Sequence, residues 1–94
     1  MPRLSNSEIE RRLADTPQWA FSGAGSIVRE LEFQDFAAAI AFVDRVGALA
    51  EQANHHPDIL LHGWNKVRLT LSTHSEGGLT NADFSLAARI DELR

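Results

Sequence analysis

Three of the four histidines in this 94-residue chain stand near one another in the sequence, and a glutamate precedes them. They are His55, His56 and His74, and the carboxylate is Glu51. An imidazole, with an ordinary pKa of about 6.5, can both accept and donate a proton near neutral pH. Imidazoles that meet in one site can therefore serve as general base and general acid. The spacing suggests acid–base chemistry if the fold brings these side chains together.

The residue types alone leave four interpretations of the cluster open. The histidines could simply be satisfied by local hydrogen bonds, without any chemical role. Zinc is a second possibility, although the H-E-x-x-H and H-x-H spacings of zinc sites are absent. A serine–histidine nucleophile is a third, but the chain has no G-x-S-x-G motif. The fourth is general acid–base catalysis without a metal, in which two imidazoles exchange protons with a substrate.

Composition limits the setting of this chemistry. The chain has no cysteine, which removes disulfides and thiolate ligands and fits the cytoplasm. A net charge of −4 with scattered basic residues argues against direct nucleic-acid binding and against a polybasic membrane patch. Residues 1–8 lack the apolar stretch of a signal peptide, and no apolar run approaches the roughly 18 residues that span a bilayer. We expect one soluble, cytoplasmic domain over residues 1–94.

The elements that must position the cluster follow the order α-β-β-α-β-β-α. Capping-box patterns at Ser5–Glu8 and Thr80–Asp83 mark the starts of the first and last helices. Aromatic and β-branched runs bounded by glycine indicate the strands. The predicted helices are 5–16, 35–53 and 80–93, and the predicted strands are 18–22, 27–33, 58–64 and 66–73.

The central helix and the corner after it carry the first part of the cluster. Glu51 falls at the border of the apolar arc, four residues before His55, so its carboxylate could lie partly desolvated beside that imidazole. Pro57 disfavours the helical conformation for His56 and is expected to end the helix. His74 follows directly on the predicted strand 66–73. The two ends of the cluster therefore lie at a helix-to-strand corner and at a strand end.

The full spacing resembles the signature of the pterin-4a-carbinolamine dehydratases. Glu51 is followed by three residues, His55-His56-Pro57, six residues, Trp64, nine residues, His74, eight residues and Asp83. The segments 65–67, 71–74 and 78–87 also look like this family, and the resemblance covers about residues 15–93. Two positions depart from the family pattern. Asn54 stands where many relatives carry an acidic residue, and Ile59 replaces a common aromatic.

This resemblance implies an α+β fold, with a four-stranded antiparallel sheet and helices packed on one side. It also implies dehydration of 4a-hydroxytetrahydropterin to quinonoid dihydropterin, the step that recycles the cofactor of aromatic amino acid hydroxylases. The N5 proton must be removed and the departing 4a-hydroxyl protonated, which two imidazoles can do without a metal or cofactor. We predict neither a metal site nor a bound cofactor.

The resemblance also implies roles for particular residues. His55, His56 and His74 would be catalytic, with His56 or His74 as the acid and His55 as the base or a binding partner. Glu51 would accept hydrogen bonds from the pterin edge, Trp19 would stack on the ring, and Thr73 would orient the neighbouring imidazole in the substrate site. Structural roles are expected for the remaining conspicuous side chains: Trp64 in the core or an interface, Asp83 as a helix cap, and His62 on a solvated face.

Small-molecule pterin binding and a homodimer or homotetramer are the expected interactions. Some relatives of the family also serve as dimerisation cofactors of a homeodomain transcription factor. The alternative function is therefore a non-catalytic interaction protein, for which nothing in the sequence displays a partner surface.

Overall fold

Helices and strands follow one another in the predicted order in the computed structural model, which describes residues 2–23 and 25–93. The helices are α1 (Asn6–Asp15), α2 (Phe36–Ala53) and α3 (Asn81–Asp91). The strands are β1 (Ala20–Ser22), β2 (Ser26–Glu32), β3 (Asp58–His62) and β4 (Lys66–Leu71), and a 3-10 turn (His74–Glu76) lies between β4 and α3. Within the described residues, no helix is both long and apolar enough to cross a bilayer.

The four strands form one antiparallel sheet in the order β1-β2-β4-β3. The prediction of an α+β fold with a four-stranded antiparallel sheet is confirmed. Asp58, at the start of β3, is paired with Thr70, near the end of β4. This register places the chain entering β3 and the chain leaving β4 at the same end of the sheet.

The core lies between one face of the sheet and the helices. Alternate residues of the central strands are buried on this face, as the period of two requires. They include Ile27 and Leu31 of β2 and Val67, Leu69 and Leu71 of β4. The helices contribute Ala39, Phe42, Val46 and Ala50 from α2 and Phe84, Leu86, Ala87 and Ile90 from α3.

The opposite face of the sheet is mostly polar. Glu30, Arg68 and Leu60 lie side by side across β2, β4 and β3 on this face, and all three are exposed. The helices of the described chain therefore cover one side of the sheet, as expected.

Three strand boundaries lie two residues from the predicted ones, for local reasons. A turn in which the Trp19 N–H donates to the Thr16 carbonyl at 3.0 Å delays β1. The left-handed φ of 56° at Gly63 and 62° at Trp64 ends β3 at His62. β4 ends at Leu71, so His74 begins the 3-10 turn and is not a strand-end residue as predicted.

Asn54, and not Pro57, makes the end of α2. Asn54 has left-handed dihedral angles, φ 50° and ψ 43°, and its N–H donates to the Glu51 carbonyl at 3.2 Å. The N–H of His55 reaches back to the Ala50 carbonyl at 3.1 Å. These two bonds form a Schellman motif, in which glycine or asparagine is favoured at the left-handed position. The sequence predicts that Pro57 ends the helix, but α2 already ends at Ala53, before the proline is reached.

Candidate active site

His55 forms a close contact with a buried carboxylate from a distant part of the chain. Its Nε2 lies 2.6 Å from Oδ1 of Asp83. The side chain of Asp83 is fully buried, and that of His55 is 14% exposed. The Schellman motif explains this placement, because the turn at Asn54 directs His55 away from the axis of α2, and the capping box of α3 holds Asp83 in its first turn.

The same carboxylate connects His55 to the segment that carries His74. Oδ2 of Asp83 accepts a hydrogen bond from Oγ1 of Thr73 at 2.8 Å, and Thr73 directly precedes His74. Since β3 begins and β4 ends at the same end of the sheet, all three imidazoles of the cluster emerge there. His74 is exposed in the 3-10 turn.

Glu51 pairs with His56, not with His55 as predicted. Oε2 of Glu51 is 2.5 Å from Nε2 of His56. Both groups are in solvent, the imidazole 59% and the carboxylate side chain 77% exposed. The expected partial desolvation of Glu51 is therefore wrong, because the turn at Asn54 moves His55 away and leaves the glutamate on an open surface.

Trp19 lies in the core, and its polar group already has a partner. The residue is 4% exposed, and its indole N–H donates to Oδ1 of Asp91 at 2.9 Å. Arg29 contacts the same oxygen, with Nη1 at 2.5 Å. A buried indole tied to α3 does not present a face to a ligand in this conformation. Its stacking role remains a prediction without support from the geometry.

The hydroxyl of Thr73 is also used inside the protein. It contacts Oδ2 of Asp83 and, at 2.9 Å, the hydroxyl of Thr80. It forms no side-chain bond to His74 among the described contacts, so the expected orienting role takes a different form. Thr73 supports the carboxylate that holds His55.

Asp83 is a functional candidate for which the sequence predicts only a capping role. Its capping role is real, since its carboxylate accepts the Thr80 N–H at 2.9 Å. The same side chain also binds His55 and Thr73. The signal for this second role was its inclusion in the spacing signature, which a simple N3 cap would not require.

Trp64 and His62 lie outside this cluster. Trp64 is 62% exposed, so it is not a core residue. His62 is only partly solvated: its side chain is 37% exposed, but its Nε2 is buried and lies 3.9 Å from Oε1 of Glu30, beyond hydrogen-bond distance.

The imidazole cluster is an open surface in the single chain. A cavity of about 300 Å³ lies beside the loop that follows His74, and Arg3, Phe21, Gly77 and Gly78 are among its lining residues. None of the three imidazoles lines it. A substrate bound at the cluster would therefore meet exposed His56 and His74 and the edge of His55.

Helices cover one side of an antiparallel sheet, and histidines and a buried carboxylate lie at one end of it, in a small α+β protein. The family model described as pterin 4 alpha carbinolamine dehydratase matches residues 2–93. The chain belongs to this family of hydro-lyases, as the spacing signature had indicated.

Individual relatives of known name are also similar to this chain in sequence or structure. A protein of Chloroflexus aurantiacus named as a pterin-4-alpha-carbinolamine dehydratase is 54% identical over 93 residues, covering 99% of this chain and 98% of its own. A crystal structure of a transcriptional coactivator/pterin dehydratase from Brucella melitensis has a TM-score of 0.90 at 34% identity and covers 97% of both chains. A pterin dehydratase-like protein identified as a RuBisCO assembly factor in the alpha-carboxysome has a TM-score of 0.69 at 31% identity, over 81% of this chain and 88% of that one.

Proposed function

We propose that this protein dehydrates 4a-hydroxytetrahydrobiopterin, a pterin-4a-carbinolamine, by general acid–base catalysis with histidines. The observation that carries the proposal is the Asp83 carboxylate, which contacts His55 through one oxygen and the residue before His74 through the other. This carboxylate brings segments from α2 and β4 to one place. Family membership supplies the substrate class.

The reaction needs two proton transfers and no change in oxidation state. An imidazole base removes the proton from N5, and the electron pair of that bond forms the N5=C4a double bond. The C4a–O bond breaks, and the hydroxyl leaves as water after taking a proton from an imidazolium acid. The products are quinonoid dihydropterin and water. We assign His55 as the base and His56 or His74 as the acid, since these two are exposed to solvent and can be reprotonated from it.

Glu51 is the proposed contact for the pterin edge. A carboxylate has about four lone-pair positions, and the described bond to His56 uses one of them. The remaining positions can accept the paired N–H groups of an aminopyrimidine ring. Its exposure allows a ligand to approach directly.

The proposed chemistry uses no metal ion or cofactor. Nε2 of His55 contacts Asp83, and Nε2 of His56 contacts Glu51. These two ring nitrogens therefore do not face a common site. Within the described residues, no three histidine or acidic side chains are grouped closely enough to hold a metal. Addition of a chelator should leave turnover unchanged, and loss of activity that zinc restores would contradict this part of the proposal.

The reaction belongs to the recycling of tetrahydrobiopterin in the cytoplasm. The substrate of the dehydratase arises when a pterin-dependent hydroxylase leaves a hydroxyl group on C4a. Removal of water gives a quinonoid product that a reductase can return to the tetrahydro form.

A homodimer formed through β3 is the proposed assembly. β3 is an edge strand, and Ile59 and Leu60 on it are 37% and 48% exposed. If two copies pair antiparallel about a two-fold axis at Leu60, Asp58 of one copy lies opposite His62 of the other. Cross-strand side-chain pairs of this kind stabilise a sheet, and pairing removes an exposed edge. Exposed Phe36 and Ile40 on α2 offer the further contact that a homotetramer would need.

A non-catalytic interaction protein is the alternative function. The relative identified as a RuBisCO assembly factor shares the fold at a TM-score of 0.69. Trp64, at 62% exposed, gives this chain an apolar group that a partner could cover. In this case the histidines would be dispensable for the function.

Activity of matched variants separates the two functions. The purified protein, His55→Ala, His74→Ala and the control Ser75→Ala would be compared for conversion of 4a-hydroxytetrahydrobiopterin, followed by absorbance. Ser75 is exposed in the same 3-10 turn as His74. We expect His55→Ala, and also His74→Ala if His74 is the acid, to lose on the order of 10²-fold in kcat or more, while the control retains full activity. Unchanged turnover in both histidine variants would overturn the catalytic proposal.

A further inference from the structure

The carboxylate of Asp83 is held by donors on both oxygens. Oδ2 accepts the backbone N–H of Thr80 at 2.9 Å and the hydroxyl of Thr73 at 2.8 Å. Oδ1 lies 2.6 Å from Nε2 of His55. The side chain is fully buried. A buried polar group that loses a hydrogen bond has no water to replace its partner, so the loss is costly. The arrangement of such groups is therefore well defined.

The neighbouring groups fix the direction of each bond. A backbone N–H can only donate, so Oδ2 is an acceptor. The Thr80 hydroxyl accepts the Ala82 N–H at 3.2 Å and can donate to Thr73, which leaves the Thr73 proton for Asp83. An ionised carboxylate has no proton of its own to give. With Asp83 as a carboxylate, the donor in the contact with His55 is the Nε2–H group of the imidazole.

We propose that Asp83 is a positioning residue that locks neutral His55 in the Nε2–H tautomer, so that Nδ1 carries the lone pair that accepts the N5 proton. This inference rests on the proposed dehydratase function and assigns the base within it. Asp83 is buried and does not touch the substrate; it acts through His55. A carboxylate that sets the tautomer and orientation of a catalytic imidazole plays the same part as the aspartate of serine-protease triads.

The other short histidine–carboxylate contact of the cluster cannot fix a tautomer in this way. His56 and Glu51 are 59% and 77% exposed, so water can replace either partner. Exposed pairs of this kind contribute little energy. Of the two adjacent imidazoles, His55 is thus the one with a defined proton position.

The substitution Asp83→Asn should change which ring nitrogen of neutral His55 carries the proton. The Thr80 N–H and the Thr73 hydroxyl need an acceptor, so the amide oxygen takes the place of Oδ2 and the amide NH₂ faces His55. Nε2 must then accept a hydrogen bond, and the proton of the neutral ring moves to Nδ1. The volume of the side chain is almost unchanged, and the capping bond to Thr80 is kept.

The test is the tautomer of His55, read by long-range ¹⁵N–¹H correlation spectra of protein labelled at histidine, with His55→Gln used to assign the signals. We expect Nε2–H in the wild-type protein, Nδ1–H in Asp83→Asn, and no change in the control Asp44→Asn, an exposed carboxylate on α2. The kcat of Asp83→Asn should fall on the order of 10²-fold with little change in KM.

A wild-type His55 that carries its proton on Nδ1, or on both nitrogens at the pH of the assay, would overturn the proposal even if Asp83→Asn failed to fold. The spectra require no turnover. An inactive wild-type protein with the Nε2–H tautomer would instead overturn the proposed function, whereas an active protein with the other tautomer would overturn only the role of Asp83.

Discussion

Glu51 lies 2.5 Å from His56, while the nearer residue in the sequence, His55, is bonded to Asp83. Two adjacent imidazoles thus have different environments: His55 is partly buried and contacts a buried carboxylate, whereas His56 is exposed and contacts an exposed one. This asymmetry favours different roles in proton transfer. It also gives Glu51 a free surface for binding.

Glu51→Gln should weaken substrate binding more than it slows the reaction. The amide keeps one acceptor oxygen but loses the charge that strengthens hydrogen bonds from the pterin edge, worth roughly 1.5 to 3 kcal/mol for a charged acceptor. We expect KM to rise on the order of 10-fold with a smaller change in kcat. Steady-state kinetics would measure both, and Asp44→Asn, an exposed carboxylate on the same helix, is the control. A loss confined to kcat would assign Glu51 to the chemical step instead.

Replacement of Asn54 should show how far the Schellman motif positions His55. Asn54→Gly is expected to preserve stability and activity, because glycine adopts the left-handed conformation freely. Asn54→Val should cost about 1 to 2 kcal/mol of unfolding free energy and also reduce kcat, since a β-branched residue resists this conformation. Chemical denaturation and turnover measure the two effects. Ala53→Val, one residue earlier in the helix, controls for the valine itself and should remain active.

Trp19→Phe separates a core role from a stacking role. Loss of the indole N–H leaves a contact to Asp91 unmade, so we expect the free energy of unfolding to fall by about 1 to 3 kcal/mol. KM should remain at its wild-type value, because the ring is buried. Trp64→Phe, at an exposed position, should change stability by less than about 0.5 kcal/mol. A higher KM in Trp19→Phe, with stability intact, would restore the predicted stacking role.

A charge exchange tests the register of the proposed β3 pair. Asp58→Lys would place a lysine opposite His62 of the other copy and weaken the dimer. Adding His62→Glu in the same chain places a lysine opposite a glutamate across the two-fold axis and should recover the association. Sedimentation velocity gives the dimer fraction at each protein concentration. A monomeric wild-type protein, or a double variant as weak as Asp58→Lys alone, would argue against this register.

Most of the fold could be predicted because its signals are local. The capping boxes at Ser5 and Thr80 and the apolar arc of α2 depend on residues a few positions apart, and these elements lie where the patterns placed them. The predicted ends of α2 and β3 were wrong in cause or position, because residues with left-handed backbone conformation end these elements. Left-handed Asn54 ends α2, and left-handed Gly63 and Trp64 end β3; asparagine is a weaker signal of this conformation than glycine.

By itself the sequence determined the element order and, through a spacing that resembles the family signature, the family and its antiparallel α+β fold. Residue types and periodicity are sufficient for the element order. Tertiary structure decided which carboxylate meets which imidazole. Asp83 and His55 are 28 residues apart in the chain, and their contact depends on the turn at Asn54 and on how α3 packs against α2. Such a contact is a property of folded geometry, because no local pattern specifies the distance between two side chains on different elements.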